Sequence, residues 1–292
     1  MADTTSTVKP STVKPTTSVQ AKKSSNIISL LAPVLCVVAG YLIWRFVLGN
    51  PANFGQPHDA KDAGWFWPGR HDPKTALSKM YLGGIIVPIL IGTFLTMLTF
   101  VIERFMTIAK ANGTGNNADF IRKVQYQLAN KNVDAALAEC DKQKGSVGNV
   151  MKAGLHRYKE MIANTELSTD QKVMAIQKEV EEATSLELPM LEKNLVFLST
   201  IASLATLLGL LGTVVGMIRA FGTLGSDSGG AGSAAALSVG ISEALYNTAL
   251  GIGTSAFAIM FYNIFTTKID GITYGIDESG FTLTQTFASL YK

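Results

Sequence analysis

Charge is scarce in this chain: of 292 residues only 16% are Asp, Glu, Lys or Arg, against about 25% in an average soluble domain, while 47% are hydrophobic. The deficit points to a membrane protein. The formal net charge is only +3, and the basic residues are scattered without aromatic interleaving, which excludes a nucleic-acid surface. Cysteine is nearly absent. Cys36 lies in an apolar run and Cys140 in a charged helical stretch, so neither a CxxC pair nor a disulfide framework is available, and both read as small packing residues. His58, His71 and His156 are far apart and match no ligand spacing, so no metal site and no cofactor is implied. A nucleophile elbow and a P-loop are missing too, because the Gly- and Ser-rich stretch after Phe221 lacks the GK[ST] of a phosphate cradle. The chain is not expected to be an enzyme.

What is present is long apolar runs. Residues 1–26, rich in Ser, Thr, Val and Pro with STVKP written twice, cannot bury enough surface to offset their ordering entropy and are expected to be a disordered tail. Residues 27–48 form a first apolar run after Lys22 and Lys23. A signal peptide competes with a retained transmembrane helix here, but the basic region is long and no A-x-A-like cleavage site follows, so the helix is favoured. Residues 49–79 are a proline-broken loop in which Trp65, Phe66 and Trp67 have the makeup of an interfacial anchor. A second span is expected over 80–103, with Pro88 tolerated inside the bilayer.

Residues 104–194 are polar and periodic in the manner of helices, at 117–128, 133–140 and 145–161. Ser168-Thr169-Asp170 reads as the cap of a further helix, and no glycine follows until Gly209. One long helix kinked near Glu187 is therefore expected to run into the third span, 195–221; at ~1.5 Å per residue its fifty or so residues would reach roughly 75 Å, over twice a ~30 Å hydrocarbon core. A turn at 222–233, a fourth span at 234–267 and a tail at 268–292 of unassigned structure complete the chain. The expected fold is thus an all-α membrane protein with four transmembrane helices and a small helical domain at 104–194. Lys and Arg concentrate before the first span and in 104–193 and are missing from 222–233, which places the former in the cytoplasm, both termini inside and the 49–79 loop outside.

The last two spans are not built as simple anchors. On the third, Ser199, Ala202, Thr206, Gly209, Thr213, Gly216 and Ala220 recur at steps of three and four, opposite a stripe of large aliphatics. On the fourth, Ser238, Ala244, Thr248, Gly251, Ser255 and Ala258 form a similar stripe, with Ile241 as its one large member. Such stripes let helix backbones approach closely, and plain packing is the simpler reading for Gly209, Gly212 and Gly216; Thr213 and Thr248 face the same kind of interior. Glu243 precedes Thr248 by five residues, roughly 140° around the helix, and opens a second polar line with Asn247 and Thr254. An ionised acid at mid-span costs about 2.5–3.5 kcal/mol, so Glu243 needs a partner, water or a proton: either an ion pair with Arg219 or a neighbouring subunit, or a site in an ion path.

The stretches ending GLLGTVVGMIRAF and ISEALYNTALGIGTSAFAIMFYN resemble the two signature helices of the MotA/TolQ/ExbB proton-channel family, in its ExbB/TolQ branch. ELPMLEKNL before the third span also matches, and the resemblance extends over about 80–263. It departs at Ala205-Thr206-Leu207, where a proline is often found, and at Ser255-Ala256-Phe257, in place of the usual IPA; the first span and the 49–79 loop are additions to a three-span plan. The resemblance implies that Thr213 and Thr248 line a pore and that Glu243 belongs to the proton pathway, with Thr206, Gly209, Gly216, Gly251 and Ser255 packing the pore stripe. It further implies a pentameric homo-oligomer in the bacterial inner membrane, and an ExbD- or TolR-like partner that threads one helix bearing an Asp through the ring and acts on a TonB-like protein. On that reading the chain is a motor stator whose protonatable group sits on the partner; the alternatives are a TolQ-like or gliding-motility stator, or a membrane scaffold that conducts nothing.

Overall fold

The computed structural model describes residues 26–54, 75–226 and 231–291; the tail before them, the Trp65-Phe66-Trp67 cluster and Asp227 lie outside that range. The described residues form nine α-helices, with a π turn at Trp44–Leu48 and a short 3-10 turn at Pro51–Asn53. In order these are α1 (Asn26–Ile43), α2 (Ala76–Leu82), α3 (Ile86–Ala111), α4 (Asn117–Ala129), α5 (Val133–Gln143), α6 (Gly145–Ala163), α7 (Thr169–Glu192), α8 (Leu195–Ser226) and α9 (Ala231–Leu290). Among the described residues four stretches are long and apolar enough to cross a membrane, Leu31–Leu48, Ile86–Ala111, Thr169–Gly222 and Leu237–Leu290.

At the N-terminal side, α1 lies against α3 where two glycines meet. A Cβ on Gly40 would stand 2.6 Å from the Gly92 amide nitrogen, and one on Gly92 would stand 2.7 Å from the Val37 Cα, so this crossing needs hydrogen at both positions. The second span begins later than expected. Tyr81 and Leu82 close the short helix α2, and Gly83-Gly84, with Gly84 at φ +82°, turn the chain before α3 starts at Ile86. α3 then continues past Glu103 to Ala111 and joins the helices outside the membrane.

The long helix expected from Gln171 into the third span is instead two helices. Pro189 stays inside α7, which ends at Glu192, and the break falls at Lys193-Asn194, where Asn194 takes φ +69°. Asparagine tolerates this left-handed conformation better than most residues, so the break lies four residues after the proline rather than at it. Arg104 holds the junction together. Its guanidinium is almost wholly buried, pairs with the Glu103 carboxylate, and donates to the carbonyls of Leu191 at 3.1 Å and Met190 at 3.4 Å, capping α7. Asn194 Nδ2 donates back to Glu103 at 3.2 Å, and Phe100 of α3 stacks on Phe197 of α8 at 4.6 Å.

The continuous rod is α9. Its 60 residues span about 90 Å, so the fourth span and the tail at 268–292 are one helix. Below the membrane segment, Phe265, Ile269, Ile272, Ile276, Leu283 and Phe287 are all buried in one core with residues of α3 to α7. Spacings of three, four and seven place these six on one face. Tyr158 of α6 meets Phe287 edge-on at 4.8 Å, Gln125 of α4 donates to the Thr282 hydroxyl at 3.3 Å, and Thr169 at the head of α7 donates to the Tyr291 carbonyl at 2.9 Å. The helices expected at 117–128, 133–140 and 145–161 are present as α4, α5 and α6, capped by Asn116 and Asn132 in the first two cases. α9 is thus the spine both of the membrane pair and of the helical domain.

Candidate functional site

The site is the seam between α8 and α9. Small residues make it close: a Cβ on Gly251 would stand 2.5 Å from the Ala205 carbonyl oxygen and 2.7 Å from the Gly209 Cα, and one on Gly216 would stand 2.7 Å from the Ala244 Cβ. Gly240 against Ala220 continues the line upward, while Ser255 and Ala258 are buried below. The expected packing residues Gly209, Gly216 and Gly251 therefore meet each other's helix directly. Thr206 is exposed and bonds only its own helix, donating to the Ala202 carbonyl at 3.3 Å.

On one flank of this seam the two hydroxyls meet. Thr213 and Thr248 share a hydrogen bond across the helices, and both lie within bonding distance of a single carbonyl, that of Gly209, Thr248 at 3.1 Å and Thr213 at 3.3 Å. The missing side chain at 209 is what leaves that carbonyl open to a neighbouring helix. Both threonines are half-buried, so each keeps an edge open to the face that the pair presents. A hydroxyl has one proton and two acceptor sites, so the pair retains acceptor capacity after these bonds, enough for water or for an incoming acid.

Glu243 stands on the other flank. It is buried, at 6% exposure, and so are Asn247 and Thr254 on the same line. Asn247 Nδ2 donates to the Gly83 carbonyl at 3.1 Å, which fixes this line against the α2–α3 turn and away from the threonine pair. Arg219, the candidate partner for Glu243, brings its guanidinium to the same turn, against Gly84. The structure thus brings Thr213 and Thr248 together and separates them from Glu243 by the width of α9. Two residues that reading the sequence passed over organise this region. Gly83 and Gly84 have a local signal, a Gly-Gly pair, but no signal for what they touch.

The electrostatics outside the membrane are those of a structural domain. Burial pushes the Cys140 thiol up to about 12 and raises the Tyr158 hydroxyl above its ordinary range, so neither is suited to proton transfer near neutral pH.

With this geometry in place, the relatives are informative. Residues 142–278 match the family of MotA/TolQ/ExbB proton channels, a stretch that contains the whole seam. Among curated proteins it is 38% identical over 86 residues to a Synechocystis sp. protein named as an ExbB-like biopolymer transport protein, covering 30% of this chain and 41% of that one. It is 39% identical over 102 residues to the Tol-Pal system protein TolQ of Haemophilus influenzae, covering 33% of this chain and 43% of that one. TolQ of Pseudomonas aeruginosa is 29% identical over 122 residues, 42% of this chain and 52% of that protein. The matches thus span about half the length of these relatives or less.

Proposed function

We propose that this chain is the ring-forming, ExbB-like subunit of a proton-driven motor in the bacterial inner membrane, with both termini in the cytoplasm. It would work with an ExbD/TolR-like single-span partner that carries a membrane Asp and, through that partner, drive a TonB-like protein and outer-membrane transport. The observation that carries the reading is the Thr213–Thr248 pair over the Gly209 carbonyl. Two half-buried hydroxyls on facing small-residue helices form a polar spot in an apolar surface, suited to hydrogen-bond water or a carboxyl group that passes along it. Copies arranged in a pentameric ring would line a central passage with such spots. Each proton crossing ~100 mV releases about 2.3 kcal/mol, which the partner's movement would use. Glu243, buried on the opposite flank, would serve as an inner acid of the same route or as a fixed contact of the assembly.

A TolQ-like role, driving a different envelope machine with the same proton path, is favoured equally by the two TolQ relatives. The conducted ion and the flanking helices are common to both. The test is reconstitution of the full chain with an ExbD/TolR-like single-span protein, followed by proton flux in liposomes. Thr213→Ala, Thr248→Ala and Glu243→Gln are expected to assemble with the partner but lose flux. Wild-type flux in all three would remove these residues from the path, and no flux with the unsubstituted chain would leave a packing scaffold as the correct description.

A further inference from the structure

Three elements converge on Asn247. The residue is 1% exposed; its Nδ2 is bonded to the Gly83 carbonyl of the α2–α3 turn, and its Cβ occupies the space that a side chain at Gly212 of α8 would need, 2.4 Å away. A Cβ on Gly83 would meet Asn247 Oδ1 at 2.9 Å, and that oxygen has no hydrogen-bond partner among the described residues. A buried amide with one half satisfied and the other open is costly to keep for packing alone.

The turn that receives Asn247 is itself held from two other sides. Arg219 of α8 brings a guanidinium nitrogen to 2.5 Å from the position of a Cβ on Gly84. From the N-terminal segment, Trp44 donates its Nε1 to the Tyr81 carbonyl at 3.1 Å and stacks on the Tyr81 ring at 4.5 Å, with Phe54 edge-on to the same ring at 5.6 Å. α1 is locked to α3 by the Gly40–Gly92 crossing. An unbroken run of packed groups therefore leads from α1 through Trp44, Tyr81 and Gly83 to Asn247, whose chain neighbour is Thr248.

We infer that Asn247 is a positioning residue for the Thr213–Thr248 pair, and that α1, the Trp44 turn and α2 form a brace that holds α9 in register through it. The inference rests on the channel reading of those threonines. With its side chain fixed to Gly83, α9 can neither rotate nor slide along α8 without breaking that bond, so Thr248 stays over the Gly209 carbonyl. The added N-terminal helix then has a task in conduction without touching the path.

The test uses the full chain reconstituted with its single-span partner. Asn247→Leu removes both hydrogen-bonding functions at similar volume; it is expected to assemble with the partner and lose flux by about 10-fold or more at every pH, since a displacement near 1 Å suffices for such losses. Asn247→Asp is the conservative counterpart. Its protonated carboxyl can donate to the Gly83 carbonyl, whereas the carboxylate cannot, so flux should be near wild type in acid and fall as pH rises. The titratable and charged groups at this junction among the described residues are Glu243, four residues before Asn247 on α9, Arg219 on α8, and Tyr81 on α2 with Arg45 and Tyr41 acting on it from the N-terminal segment; α3 brings Val87, which does not titrate. Trp44→Phe keeps the stack and deletes the Nε1 donor; together with Asn247→Leu it should raise amide exchange across residues 76–90. Wild-type flux in Asn247→Leu, or an Asp variant that tracks the Leu variant at all pH values, would overturn the inference. Loss of flux in Thr213→Ala with normal flux in Asn247→Leu sinks the brace alone, whereas normal flux in the threonine variants sinks the channel reading and the brace with it.

Discussion

Replacing Gly251 with Ala is the sharpest probe of the seam, because the new methyl group meets only backbone. It would stand 2.5 Å from the Ala205 oxygen, 2.7 Å from the Gly209 Cα and 3.0 Å from the Gly209 nitrogen, and no flexible side chain can yield. Ordinary contact needs about 3.4 Å, so the helices must part by roughly 0.9 Å. The Thr248 bond to the Gly209 carbonyl, now 3.1 Å, would stretch to roughly 4 Å and cease to be a hydrogen bond. Overpacking of this kind costs about 3 kcal/mol, which alanine's better helix propensity offsets by about 1, leaving about 2 kcal/mol of destabilisation. The control is Gly271→Ala. That position is on α9 below the membrane segment, is exposed and has open space around it, so only the propensity gain of about 0.5–1 kcal/mol remains. Gly209→Ala falls between, because its methyl group would meet the Gly251 Cα at 3.1 Å. Thermal unfolding in detergent and proton flux with the partner should both rank Gly271→Ala above wild type or equal to it, then Gly209→Ala, then Gly251→Ala. A Gly251→Ala protein that unfolds at the wild-type temperature and conducts normally would refute the close-seam argument.

Other perturbations test the remaining contacts. Arg104→Ala leaves the Glu103 carboxylate and the Met190 and Leu191 carbonyls without their buried donor, and should destabilise the protein by about 3 kcal/mol in a thermal melt. Asn194→Gly keeps the left-handed backbone and loses the bond to Glu103, about 1 kcal/mol, whereas Asn194→Val adds about 1–2 kcal/mol of strain and should melt lower. Burial holds the Cys140 thiol neutral up to about 12, so maleimide at pH 8 should modify its peptide only after denaturation, and rapid labelling of native protein would contradict the packing. The sign follows from linkage. A thiol raised on folding contributes stability that is full below its ordinary range and is lost as pH climbs from there towards about 12, a loss that Cys140→Ala should remove.

How far the sequence anticipates this arrangement depends on whether a signal is local. The two hydroxyl stripes are local, since a period near 3.6 places Thr213 among Gly209 and Gly216, and Thr248 beside Gly251, and the same arithmetic puts Glu243 on a different flank. The structure places these residues accordingly. What joins the stripes is not local: Thr248 reaches the Gly209 carbonyl only because residue 209 has no side chain and α9 lies close against it there. The 60-residue rod was hidden for the opposite reason. Gly271, Gly275 and Gly280 go with a tail whose structure the sequence leaves unassigned, yet Gly275 lies beside Asn117 and Val147, and Gly280 beside Val180, so two of the three admit neighbouring helices. Glycine there marks close approach of another helix, a meaning that composition cannot distinguish from a turn. The same ambiguity, resolved the other way, accounts for the late start of α3. Gly83-Gly84 do turn the chain, and the turn supplies the carbonyl that Asn247 holds. One residue type therefore ends a helix at 84 and lets one continue at 275 and 280, and in each case the deciding fact is what packs against it. Since α9 crosses the threonine pair and then forms the spine of the helical domain, any displacement of the pair along the helix axis must reach α4, α6 and α7 through Phe265, Ile276 and Phe287.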